Sequence, residues 1–136
     1  MNETNRYFDD VLATHVMIRE WLGGEATAPG YCAALLARFS PDFTMISPGG
    51  KLLDAAGLAA FFRAAGGSRA GLQMRIADLV LIQESAAGAT VSYREFQCLP
   101  GGDSTERLST VVYDTSPAGT LLWRHLHETW TAPAGE

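Results

Sequence analysis

Lysine occurs once in this 136-residue chain, as Lys51, and cysteine only twice. Lys and Arg together number 10 against 15 Asp and Glu, a formal net charge of −5. No clustered basic patch is present, so the electrostatic footprint of a nucleic-acid binder is missing and an anionic membrane surface is a poor partner. No apolar run approaches the length that spans a bilayer. The first residues, Met1-Asn2-Glu3-Thr4-Asn5-Arg6, lack the basic-then-apolar layout of a secretory signal. Cys32 and Cys98 lie far apart, one in a helical and one in a strand pattern. They read as buried free thiols in a reducing cytoplasm rather than as a disulfide. The glycines and prolines sit in short scattered breaks, with no linker, low-complexity stretch or repeat. What remains is 47% hydrophobic and 18% charged. That composition predicts one cytoplasmic globular domain over residues 1–136 with ample material for a core.

Periodicity orders the elements. From Tyr7 to Leu22, Phe8, Val11, Leu12, His15, Ile18 and Leu22 share one helical face, and Gly23-Gly24 supplies a left-handed stop. A second helix is expected from Gly30 to Phe39, ended by Ser40-Pro41. Phe43–Ile46 reads as a short strand turned by Pro48-Gly49-Gly50 into a return at Leu52-Leu53. Asp54 is a good cap for a third helix, Ala55 to Ala65. Beyond Gly66-Gly67 the pattern alternates to the end, giving strands at Leu72–Glu84, Thr90–Leu99, Thr105–Thr115 and Leu121–Thr131. Short glycine-containing breaks between them predict antiparallel hairpins. The order is α-α-β-β-α-β-β-β-β, an α+β fold. Its sheet should twist, bulge and curl into a cone around the N-terminal helices.

Several segments carry a resemblance. Phe39-Ser40-Pro41-Asp42-Phe43-Thr44-Met45-Ile46-Ser47-Pro48-Gly49-Gly50 leads into the third helix, and Trp123-Arg124-His125-Leu126-His127-Glu128-Thr129-Trp130 forms the last strand. Tyr93-Arg94-Glu95 and Arg107-Leu108-Ser109-Thr110 lie on the middle strands. With them the chain resembles the nuclear transport factor 2-like superfamily, in particular small bacterial proteins related to SnoaL-type polyketide cyclases, over nearly its whole length. The resemblance implies a cone-shaped pocket and a homodimer packed through the outer sheet face. It implies no single reaction, because the superfamily houses isomerases, dehydratases, cyclases, kinase-association domains and transport factors.

Strand alternation then proposes a lining. Trp123, His125, His127 and Thr129 share one side of the last strand, aimed into the cone. Tyr93, Glu95 and Gln97 would join them, as would Arg107, Ser109, Val111 and Tyr113. His127, Glu95 and Arg107 are the candidate catalytic set: an imidazole that moves a proton, a carboxylate that orients it, and a guanidinium that stabilises negative charge. The alternative is a self-satisfied Glu95–Arg107 cross-strand ion pair with histidines bonded in the wall. His15, Tyr93, Tyr113, Trp123 and His125 are candidate ligand contacts. His15 either faces a ligand or bonds a sheet residue, and Arg19 reaches the rim by its aliphatic stem. His125-x-His127 has no identified third ligand, so no metal is assigned, and no cofactor motif is present. Trp21, Phe61 and Phe62 are expected in the core. Leu126 and Trp130, on the opposite side of the last strand, are expected to face a second subunit. The expected partner is a small apolar or aromatic molecule, bound either for acid–base catalysis of the isomerase, cyclase or dehydratase kind or without catalysis. A protein-association role is the other alternative.

Overall fold

The computed structural model describes residues 5–131. The order is α1 (Arg6–Leu22), α2 (Tyr31–Leu36), β1 (Phe39–Ile46), β2 (Leu52–Asp54), α3 (Ala55–Ala65), β3 (Gln73–Ser85), β4 (Gly88–Cys98), β5 (Ser104–Thr115) and β6 (Leu121–Trp130). The element order matches the sequence expectation, and the fold is α+β. The six strands make one sheet in the order β2-β1-β6-β5-β4-β3. All neighbours are antiparallel except β1 and β6, so the sheet is mixed.

Local chemistry explains the ends. The Asn5 side chain accepts from the backbone N–H of Tyr7 and Phe8 and opens α1. Gly24, not Gly23, takes the left-handed conformation after it, at φ 80°. Asp54 caps α3 by accepting from Gly57 N at 2.8 Å. Helix α2 is shorter than its pattern suggests, because Phe39 joins β1 opposite Trp123. Pro41 then falls in the irregular stretch between Phe39 and Thr44, where the ladder is interrupted and a missing N–H costs little.

One face of the sheet is packed under α1 and α3. Val11, Leu35, Phe43, Val91, Val111 and Trp123 are fully buried at this interface. Phe62 is buried as expected, but Phe61 is about half exposed and stands at the margin of the core. Cys32 and Cys98 are both free, and Cys98 is exposed rather than buried, because it ends β4 on the outer face. Among the described residues no helix is long and apolar enough to cross a membrane.

Candidate functional site

The inner face is set by β4 and β5, which pair without a break from Gly88↔Asp114 to Cys98↔Ser104. Tyr93 and Glu95 are buried on β4, and Ser109, Val111 and Tyr113 on β5. Arg107 stands opposite Glu95 on the same face, half-buried. These residues lie on the side that alternation assigns to them.

β6 does not follow. Val112 pairs with His125 but Tyr113 pairs with Trp123, so Arg124 is an extra residue and the strand bulges. A single inserted residue reverses the alternation beyond it. Trp123 stays buried, and past the bulge Leu126 and Glu128 are buried in turn. His125 and His127 therefore lie on the outer face. His125 is hydrogen-bonded through Nδ1 to Thr44 Oγ1 at 2.7 Å, and His127 is exposed. The expected inward aim of both histidines is corrected, and so is the outward aim of Leu126 and Trp130.

His15 fills the place intended for His127. It is buried on α1, edge-on to Tyr93 with ring centroids 5.3 Å apart. Its Nδ1 lies 2.7 Å from the carbonyl of Val11, which can only accept, so Nδ1 carries a proton. Its Nε2 lies 3.1 Å from Glu95 Oε1. A neutral imidazole of this tautomer would turn a lone pair toward a carboxylate, so a further proton resides in the His15–Glu95 bond. Burial opposes the charged imidazole, but the adjacent Glu95 charge overrides it and raises the pKa above 6.5. Burial likewise works against the Glu95 carboxylate, yet His15 brings it down to about 2. The pair is an imidazolium and a carboxylate. Gln97 Nε2 donates to the other oxygen, Glu95 Oε2, at 2.6 Å.

Glu128 completes the cluster. Arg107 donates to its Oε1 at 3.3 Å and Ser109 Oγ to its Oε2 at 3.1 Å. Burial, then the neighbouring Glu95 charge, raises its pKa above 4.5 against the pull of Arg107. Two buried carboxylates, an imidazole and a guanidinium thus meet on the inner face, with one acid fixed in its ionised form and the other inclined to keep a proton. This is the separation of roles that proton transfer needs. Glu128 escaped the sequence reading because the bulge that turns it inward has no glycine or proline to announce it.

The rest of the expected set divides. Tyr113 and Trp123 are buried at the foot of the site, and neither is free for a ligand. Tyr113 Oη and Trp123 Nε1 both donate to Asp10 Oδ1, at 2.8 and 2.7 Å. Burial, then Asp10, raises the Tyr113 pKa. Arg19 stays at the surface, bonded to Glu25 at 2.9 Å. Two surface depressions of about 420 and 400 Å³ are present. One lies beside Arg6, Asp10 and Arg38 and the other beside Phe43, Asp54 and Arg124; neither is lined by the cluster.

No family model matches the chain, and no curated protein matches it. Solved structures do. The chain is similar to an NTF-2 like protein of unknown function from Pseudomonas aeruginosa, at 43% identity over 93% of this chain and 98% of that one, with a TM-score of 0.88. A ketosteroid isomerase-like protein from Parabacteroides distasonis aligns over 87% of this chain and 85% of its own at 14% identity, TM-score 0.62. The association domain of CaMKII from C. elegans aligns over 91% and 95% at 14% identity, TM-score 0.67. The last two share the fold alone.

Proposed function

This chain belongs to the NTF2-like superfamily, and from that membership and the inner-face cluster we propose that it is a small-molecule protein that moves a proton on an apolar or aromatic ligand. Glu128 exchanges the proton, Arg107 steadies the charge that develops, and His15 with Glu95 holds the surrounding field in place. Glu95 and Arg107 keep the candidacy that the sequence gives them, and His15 and Glu128 replace His127. The observation that carries the reading is the burial of two carboxylates beside each other, with Glu95 held ionised and Glu128 raised. A carboxylic acid tuned upward toward neutral pH is an efficient proton exchanger.

A second reading, binding without catalysis, is favoured by the way the charges pair off: His15 with Glu95, and Arg107 with Glu128. One experiment separates them. The protein is incubated in heavy water with 2-tetralone, an aromatic ketone with exchangeable α-protons, and exchange is followed by proton NMR. Wild type is expected to exceed the buffer rate by about 100-fold or more, and Glu128→Gln to fall back to it. Equal rates for wild type and Glu128→Gln would overturn the proton-moving role.

The outer sheet face is proposed as a homodimer interface. Val80 and Leu108 are exposed there, which supports a covered surface. The shared fold of the CaMKII association domain adds to that support. The exposed thiol of Cys98 suits a reducing cytosol, where we place the protein.

A further inference from the structure

Among the described residues, the inner face holds buried polar atoms that lack partners. The Tyr93 hydroxyl is buried and has no hydrogen-bond partner among the described residues, as is true of Arg107 Nε and Thr105 Oγ1. Tyr93 itself is 2% exposed. Thr105 and Arg107 alternate on the inner side of β5, and Tyr93 faces Ser109 across the β4–β5 ladder. The three residues therefore share one face of two adjacent strands.

Each carboxylate oxygen of the cluster already takes one hydrogen bond. Glu95 uses one oxygen for His15 and the other for Gln97. Glu128 uses one for Arg107 and the other for Ser109. Ser109 Oγ draws slightly on the Tyr93 phenol, but its own proton goes to Glu128 and the phenol makes no contact of hydrogen-bond geometry among the described residues. A guanidinium N–H can only donate. Buried donors left unmade are costly, so a partner that brings oxygen acceptors suits this patch.

Charge and shape narrow that partner. His15 and Arg107 supply two positive charges from α1 and β5; Glu95 on β4 and Glu128 on β6 oppose them. The two pairs balance in charge, so an entering anion is compensated when Glu128, whose pKa is raised by burial and by Glu95, takes up a proton. The walls are aromatic: His15 stands edge-on to Tyr93 and 5.9 Å from the Trp123 ring, and the Arg107 guanidinium lies 4.8 Å from the Trp130 ring centroid. Trp130 is 48% exposed at the end of β6. Its indole can therefore swing aside without uncovering a packed core, and a flat ring can take its place on the guanidinium.

We propose that the Tyr93 hydroxyl and Arg107 Nε form an oxyanion subsite for an aromatic carboxylate that enters past Trp130. The inference rests on reading the inner face as a ligand site, but it concerns binding and not proton transfer. A carboxylate matches a guanidinium edge and gives the phenol an acceptor. Its charge also favours the protonated form of Glu128, so binding takes up a proton.

Benzoate is the probe, with benzamide as its uncharged isostere and inorganic phosphate as the non-aromatic anion, each titrated by calorimetry at mildly acidic pH. Benzoate is expected to bind at least about tenfold more tightly than either control. Its enthalpy should differ between buffers of different ionisation heat, reporting proton uptake. Tyr93→Phe should weaken benzoate about tenfold or more, while its unfolding temperature stays level or rises because the lost hydroxyl had no partner. No benzoate binding, equal binding of benzamide or phosphate, or an unchanged affinity in Tyr93→Phe would each overturn the subsite. Glu128→Gln keeps both donors, so benzoate binding to that variant tests the subsite alone. If 2-tetralone exchange survives while benzoate fails, only this inference falls; the reverse result removes only the proton-moving role.

Discussion

Asp10 takes four hydrogen bonds: three at Oδ1, from Tyr113, Trp123 and Thr14, and one at Oδ2 from Arg38 at 3.0 Å. Removing such an acceptor leaves a guanidinium and two aromatic donors unpaired. Asp10→Ala is therefore expected to cost about 3–5 kcal/mol in urea unfolding, and a loss under about 1 kcal/mol would show that the network is incidental. The buried pair at His15 gives a pH signature. Glu95, lowered to about 2, contributes stability that is present above 4.5 and lost as pH falls toward 2. His15, raised above 6.5, contributes stability that is present below 6.5 and lost as pH rises through its folded pKa. Glu128 has a raised carboxyl, so its contribution is present below 4.5 and is also lost as pH rises. Stability should thus decline from mildly acidic to alkaline pH, and Glu128→Gln should flatten that decline. An equally steep profile in the variant would contradict the raised Glu128. His127→Ala, by contrast, changes an exposed side chain and should stay within about 0.5 kcal/mol of wild type.

Among the elements, the helices and hairpins were legible because their signals are local. Asp54 before an apolar-periodic run gave α3 its observed limits, and the glycine-bearing breaks marked every hairpin from β3 to β6. The inward set on β4 and β5 was legible for the same reason, since those strands alternate without interruption. The bulge at Arg124 was not. Arg124 Nη1 donates to the Asp42 carbonyl oxygen at 2.6 Å, a tie between β6 and the irregular part of β1 that only the assembled sheet creates. Strand periodicity has no memory across an inserted residue, so His127 and Glu128 exchanged faces. Deleting Arg124 should close the bulge and leave Trp123, Leu126 and Glu128 inside and His125 and His127 outside, because the residue removed is the one without a partner on β5. The variant is expected to keep a cooperative thermal transition; loss of cooperative unfolding would show that the bulge itself is needed to seat β6 between β1 and β5. The start of β4 offers a second test. A Cβ on Gly88 would lie 1.8 Å from the carbonyl oxygen of Tyr113, a backbone atom that cannot step aside. Gly88→Ala should cost at least about 2 kcal/mol.

At the scale of the whole molecule, the bulge also changes the argument for self-association. Leu126 and Trp130 are turned to the inner side, so they no longer ask for a second subunit. The outer face keeps its own apolar surface, with Val80 on β3 and Leu108 on β5 both exposed and Ile82 beside a β3 irregularity. Leu108 stands opposite Arg94, which is tied to Asp78 and Glu106. Charged residues therefore flank an apolar centre, the arrangement of an interface core with a polar rim. A two-fold dimer would bring the same patch of each chain together, so one substitution strikes both sides of the interface. Sedimentation at micromolar concentration should give twice the 14.6 kDa chain mass. Leu108→Asp would place a carboxylate at the centre of both halves and should return the monomer, with circular dichroism unchanged because the residue lies outside the core. A wild-type mass of one chain would remove the dimer, and a Leu108→Asp protein that remains dimeric would move the interface off this face.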